Sequence, residues 1–113
     1  MSEENFKKNV YMKICEFLTA VNLKDLTVLA KVFFVSSTIF DEIQESLFEY
    51  FNEIPVLEIA LLENIFLNNN FNRPYLDIYK MNAENTWGVE CVLFVENKEQ
   101  EPILHFEIKK FSE

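Results

Sequence analysis

The spacing of the hydrophobic residues changes once along this chain, close to Asn68. Before that point they recur at three- and four-residue steps, which is the period of an amphipathic helix. After it they alternate with polar residues, which is the period of a half-buried strand. This order predicts an α+β fold in which N-terminal helices pack on one face of a C-terminal antiparallel sheet of three to four strands.

Three helices are predicted in the first half of the chain. They cover residues 3–20, residues 24–34 and a stretch that starts after Ser37 or Thr38, where Thr38 and Asp41 resemble a capping box. Asn22 is expected to stop the first helix. The residues expected to face inward are Phe6, Val10, Ile14, Phe17, Leu18 and Val21, then Leu26, Leu29, Ala30 and Phe33, then Phe40, Ile43, Leu47 and Phe51.

The segment after Ile54 fits two interpretations. Pro55 suits the first position of a fourth helix, which is the favoured interpretation. The apolar run 56–67 also fits a strand buried on both faces. The helical part of the chain is therefore placed at about residues 3–67, with this choice left open.

Three strands are predicted at residues 75–81, 86–96 and 103–111, joined by turns at 82–85 and 97–102. They form an antiparallel meander with one apolar face, which carries Leu76, Ile78, Trp87, Val89, Cys91, Leu93, Val95, Leu104, Phe106 and Ile108. The opposite face is mixed and carries Tyr75, Asp77, Tyr79, Glu90, Val92, Phe94, His105, Glu107 and Lys109. On this face Glu90 and Lys109 are expected to pair across strands.

Composition limits the classes of function. A chain of 113 residues predicts a single domain, 1–113. Its one glycine excludes glycine-rich phosphate loops. A net charge of −9 argues against nucleic acid and anionic membranes as partners. The polar N-terminus and the lack of a long apolar run predict a cytoplasmic protein.

No pattern of residues in the sequence indicates a particular catalytic reaction. The single histidine, His105, and two distant cysteines, Cys15 and Cys91, are poor evidence for a metal site. The cysteines are expected to be buried thiols rather than a disulfide. The chain is therefore predicted to be non-enzymatic, with no catalytic residues and no cofactor or metal.

The negative charge is concentrated in the middle of the chain. Between Lys31 and Arg73 there is no basic residue and there are seven acidic ones, namely Asp41, Glu42, Glu45, Glu49, Glu53, Glu58 and Glu63. Like charges four apart on a helix cost about 0.2–0.5 kcal/mol per pair. The pattern predicts a docking face for a basic protein, formed by Asp41, Glu42, Glu45, Glu49 and Glu53. Pairing of two copies through the mixed sheet face is a further possibility.

Two stretches resemble the NTF2-like (cystatin-like) superfamily. ICEFLTAVNLKDLTVLAKVFF is similar to its opening, where a helix leads through a short Asn/Gly-Asp-Leu link to a second helix. WGVECVLFVENKEQEPILHFEI is similar to its last hairpin. The resemblance covers about half of the chain and implies a further strand from residues 56–67. It also implies an alternative function in small-molecule binding or catalysis, at a pocket between sheet and helices near Asp77, Tyr79, Glu90, His105 and Glu107.

In outline the chain also resembles the immunity proteins of bacterial toxin systems, including contact-dependent growth inhibition. Those proteins are small, acidic and made together with a nuclease-type toxin whose active site is basic. The resemblance implies a non-catalytic protein-binding module whose partner is a cognate toxin or nuclease domain. The module would neutralise that partner by occluding its active or substrate-binding surface.

Overall fold

A computed structural model describes residues 3–67 and 74–109. The chain divides into two compact units, residues 1–58 and 59–113. The first unit holds three helices, and the second holds a short helix and a three-stranded antiparallel sheet. The predicted α+β class, with helices preceding the sheet, is confirmed.

The first helix, α1, spans Glu3–Leu23. Its predicted stripe is buried at Val10, Ile14, Leu18 and Val21, and half-buried at Phe6 and Phe17. The helix ends one residue before Lys24, which takes up the left-handed conformation with φ of 56°. Asn22 is therefore not the stop that the sequence predicts.

Asn22 instead holds a distant part of the same unit. Its side-chain amide donates to the carbonyl of Leu57 and accepts from the Leu57 amide, each at 2.9 Å. These paired bonds, which we call the Asn22–Leu57 clamp, occupy both backbone groups of a residue that is itself buried. The clamp ties the segment after the third helix to the end of α1.

The second helix, α2, spans Leu26–Phe33 and begins at Asp25, whose side chain accepts from the Val28 amide at 3.2 Å. Leu29 is fully buried, and the Phe33 ring meets Phe17 edge-on at a centroid distance of 5.2 Å. Leu26 and Ala30 are exposed, so the prediction that they face inward is wrong. A helix of eight residues makes about two turns, and here a single row of side chains reaches the core.

The third helix, α3, spans Ser37–Phe51. Its N-cap is Ser36, whose hydroxyl accepts from the Ile39 amide at 3.2 Å, so the predicted capping box of Thr38 and Asp41 is wrong. Ser36 has the extended backbone that N-cap residues need, whereas Thr38 already lies inside the helix. Of the predicted inner stripe, Phe40 is buried, and Ile43, Leu47 and Phe51 are half-buried.

The ambiguous run 56–67 is neither a long helix nor a strand. Residues 54–61 are irregular apart from a single bridge residue, Glu58. A four-residue helix, α4, follows at Leu62–Ile65, so Pro55 does not begin a helix. At Leu57 the Asn22–Leu57 clamp occupies both backbone groups, so this residue cannot use them in a helix or a sheet. The strand implied by the NTF2-like resemblance is not formed by residues 56–67.

The sheet consists of β1 (Leu76–Lys80), β2 (Thr86–Val95) and β3 (Lys98–Lys109), in that order and all antiparallel. The predicted sorting of faces is confirmed at its centre, where Leu76, Cys91 and Leu104 are partners in one row and Ile78, Val89 and Phe106 in another. Val92 and Leu93 are both buried where the register shifts, so strict alternation of faces ends there.

The β2–β3 turn is shorter than predicted. It consists of Glu96 and Asn97, which both have positive φ, as two-residue type I′ hairpin turns require. β3 therefore begins at Lys98 rather than after residue 102. Pro102 is accommodated because β3 is an edge strand. Residues 110 and 111, the predicted end of this strand, lie outside the described residues.

The two cysteines lie in different units. Cys15 is half-buried in α1 and Cys91 is fully buried in β2, and the two do not form a disulfide with each other. Among the described residues, no helix is long and apolar enough to cross a membrane.

Candidate functional site

The predicted docking face lies mainly on α3. Asp41, Glu42, Glu45 and Glu49 are all exposed on this helix. Glu53 is exposed too, but it follows Asn52, which ends the helix in the left-handed conformation. Of the carboxylates spaced four residues apart, which we call the ladder, Asp41, Glu45 and Glu49 are helical and Glu53 lies beyond the helix.

Within residues 3–67 and 74–109, no lysine or arginine forms an ion pair with these carboxylates. The first unit does contain such a pair on α1, where Lys13 and Glu16 approach to 3.5 Å. Among the described residues, the exposed carboxylates of α3 therefore have no ion-pair partner, as the lack of basic residues between Lys31 and Arg73 predicts.

Large apolar side chains flank this line of charge, which sequence reasoning missed. Phe48 is 56% exposed and follows Glu45 by three residues, so it borders the ladder on one side. Ile39 and Tyr50, 45% and 48% exposed, border it on the other side, beyond Glu42. We call these residues together, Asp41, Glu42, Glu45 and Glu49 with Ile39, Phe48 and Tyr50, the α3 face. Exposed aromatic residues among charged ones are typical of protein-binding surfaces.

The five residues predicted to line an alternative pocket meet on one face of the sheet. Asp77, Glu90 and His105 are partners in one row of the three strands. Tyr79 and Glu107 belong to the next row, where both are partners of Gly88. The expected pair of Glu90 with Lys109 is wrong, because Lys109 lies opposite Thr86 and Glu90 lies opposite His105.

Tyr79 joins the two rows. Its hydroxyl donates to Oε2 of Glu90 at 3.2 Å and lies 3.3 Å from Nε2 of His105. Partial burial and the Glu90 carboxylate raise the pKa of Tyr79, with smaller contributions from Asp77 and Glu107. The phenol is therefore protonated at neutral pH and available as a donor.

Gly88 makes this arrangement possible, which the sequence did not reveal. A Cβ atom at position 88 would collide with the Tyr79 ring, because the ring lies directly across the glycine. The backbone of Gly88 is not in the left-handed region, so its conformation does not explain why a glycine is there. The chain's single glycine provides space for the Tyr79 ring.

A second tyrosine lies on the same face. The Tyr75 hydroxyl donates to Oε1 of Glu99 at 2.9 Å, and its ring meets Phe94 edge-on at a centroid distance of 5.3 Å. The hydrogen bond to Glu99 is the main reason that the pKa of Tyr75 is raised. Sequence reasoning missed Glu99, because it placed that residue in a turn.

Among the described residues, no group of histidine, cysteine and acidic side chains is arranged to hold a metal ion. Protein-family models, curated proteins and solved structures were all compared with the chain, and none matches.

Proposed function

We propose that this chain is a non-catalytic acidic protein-binding module that occludes a basic protein partner. An immunity or inhibitor protein that neutralises a basic bacterial toxin or nuclease fits this role. The supporting observation is the α3 face, where exposed carboxylates that form no ion pair with any described lysine or arginine lie beside exposed apolar side chains.

The two kinds of side chain on the α3 face suit two stages of binding. A line of negative charge accelerates encounter with a positively charged surface and disfavours partners of the wrong sign. Desolvated aromatic side chains supply most of the energy that holds a formed interface together. Phe48 and Tyr50 are the residues expected to fill that second role.

The charge pattern also opposes the stability of the isolated helix. The pairs Asp41–Glu45 and Glu45–Glu49 each cost about 0.2–0.5 kcal/mol, and Glu49 lies near the negative end of the helix dipole. A basic partner removes both penalties by pairing with the carboxylates. The arrangement is thus more favourable in a complex than in the free protein.

The test is binding to a purified basic toxin or nuclease domain encoded beside this chain, measured by calorimetry and by association kinetics. The double variant Glu45→Lys, Glu49→Lys should weaken binding by at least about tenfold, with most of the early loss in the association rate. The matched control is Glu84→Lys, Glu101→Lys, which changes the net charge equally at exposed positions of the other unit. The control should bind within about twofold of the wild type.

Raising the salt concentration should weaken wild-type binding and affect the α3 double variant much less. Equal affinities of the wild type and the α3 double variant for a partner that does bind would refute this proposal.

A further inference from the structure

The Tyr79 hydroxyl has one proton and two polar neighbours. As a carboxylate Glu90 only accepts hydrogen bonds, whereas a neutral imidazole carries a donor on one nitrogen and an acceptor on the other. If Tyr79 donated to His105, two oxygen atoms would face each other at 3.2 Å with no proton between them. If Tyr79 donates to Glu90, then Nε2 of His105 must be the donor, and both short contacts become hydrogen bonds.

We infer that His105, Tyr79 and Glu90 form a hydrogen-bonded relay that makes Nδ1 of His105 a hydrogen-bond acceptor on the mixed face of the sheet. Nε2–H of His105 donates to Tyr79, and Tyr79 donates to Glu90. Nδ1 of His105 is left as the acceptor, on a side chain that is exposed. This inference does not depend on the proposed partner-binding function.

Among the described residues, the charges on this face of the sheet indicate the ligand class. Asp77 on β1, Glu90 on β2 and Glu107 on β3 all lie on this face, and Lys109 lies farther along β3. Three carboxylates around one imidazole repel anions. The site therefore suits a neutral or cationic molecule that donates an N–H or O–H to Nδ1.

The relay has a chemical consequence that a neutral acylating reagent can reveal. When Nδ1 attacks a carbonyl carbon of diethyl pyrocarbonate, the Nε2 proton moves to Tyr79 as the phenol proton moves to Glu90. The ethyl carbonate that leaves takes up a proton and breaks down to ethanol and carbon dioxide. Glu90 then returns its proton to water, and one ethoxycarbonyl group remains on the ring.

The rate of this reaction is measured on the full chain by the ultraviolet absorbance of the acylated ring. His105 is the single histidine, so the signal belongs to it. Tyr79→Phe keeps the aromatic ring over Gly88 but removes the hydroxyl, and it should slow the reaction about two- to tenfold, the factor that corresponds to one hydrogen bond. Tyr75→Phe is the matched control, because its hydroxyl contacts Glu99 instead, and it should react at the wild-type rate.

A second measurement reads the tautomer directly. Nitrogen NMR of the neutral His105 ring should show a protonated Nε2 and an unprotonated Nδ1 in the wild type. The opposite tautomer, or equal acylation rates in the wild type and Tyr79→Phe, would overturn the relay. The NMR spectra of the variants also establish that each one is folded.

Discussion

At the residue scale, Gly88 is constrained by the Tyr79 ring, which fills the space that a Cβ atom would need. Glycine in the interior of a strand is unfavourable, because it adds backbone entropy to the unfolded chain and offers no side chain to pack. Here the Tyr79 ring covers the bare backbone, as aromatic residues do in sheets that tolerate glycine. The pair Gly88–Tyr79 thus orients the phenol towards Glu90 and His105.

Gly88→Ala should therefore destabilise the protein by about 1–3 kcal/mol, the typical cost of adding a methyl group to a filled site. Urea unfolding of the wild type and the variant gives this difference. In a Tyr79→Ala background the same substitution should be neutral or stabilising, because the ring is gone and alanine suits a strand better than glycine. An equal penalty in both backgrounds would show that the ring is not the cause.

Sequence reasoning grouped the polar residues of this site but did not reveal their contacts. Alternation along the strands placed Asp77, Tyr79, Glu90, His105 and Glu107 on one face, and the observed register agrees. The prediction that Glu90 pairs with Lys109 was wrong because the pairing depends on the turn length, which shifts every cross-strand neighbour. The role of Gly88 depends on the direction of one ring, which no pattern in the sequence specifies.

At the scale of elements, the ends of the helices were less predictable than their existence. The stripe of α1 follows from its spacing, since burial of one face is what stabilises such a helix. The start of α3 cannot be predicted in this way. Three residues in a row are acceptable N-caps, and only the backbone conformation distinguishes Ser36 from Ser37 and Thr38. The run 56–67 was ambiguous partly because Leu57 bonds to Asn22, 35 residues away, and local spacing does not reveal such a distant contact.

The cap assignment leads to a direct comparison. Ser36→Ala should lower the free energy of unfolding by about 0.5–2 kcal/mol, because the Ile39 amide loses its acceptor. Thr38→Ala, an exposed position inside the same helix, should change it by less than about 0.5 kcal/mol. Thermal or urea unfolding of the two variants decides between them. A larger loss for Thr38→Ala would restore the capping box that the sequence predicts.

At the scale of the whole molecule, the acidic residues are concentrated in one part of the sequence, but buried residues are not. The excess negative charge belongs to the middle of the sequence, whereas each of the two compact units has its own buried residues. Each unit has about half the length of the chain, which is small for a domain that is stable by itself. The prediction that residues 1–113 form one domain therefore amounts to a prediction that both units unfold together.

Cys91 offers a measurement of that cooperativity, because its thiol is fully buried in the middle strand. In a Cys15→Ser background, the rate of reaction with an aromatic disulfide reagent gives the free energy of opening around Cys91. We expect it to equal the free energy of unfolding from urea titration. A clearly smaller value would show that the sheet opens separately. The same variant unfolded in urea gives the reaction rate of the unprotected thiol. The Cys91→Ser variant, which keeps the half-buried Cys15, should react faster than the Cys15→Ser variant in the folded state.

The Asn22–Leu57 clamp has a consequence for the order of events during synthesis. Its two residues are 35 positions apart, so at ribosomal rates of about 5–20 residues per second roughly 2–7 seconds separate their appearance. All of α3 lies between them, inside the ring that the clamp closes. A nascent chain can therefore form the acidic helix before the ring is closed. The clamp that completes the helical unit cannot form until Leu57 has been synthesised.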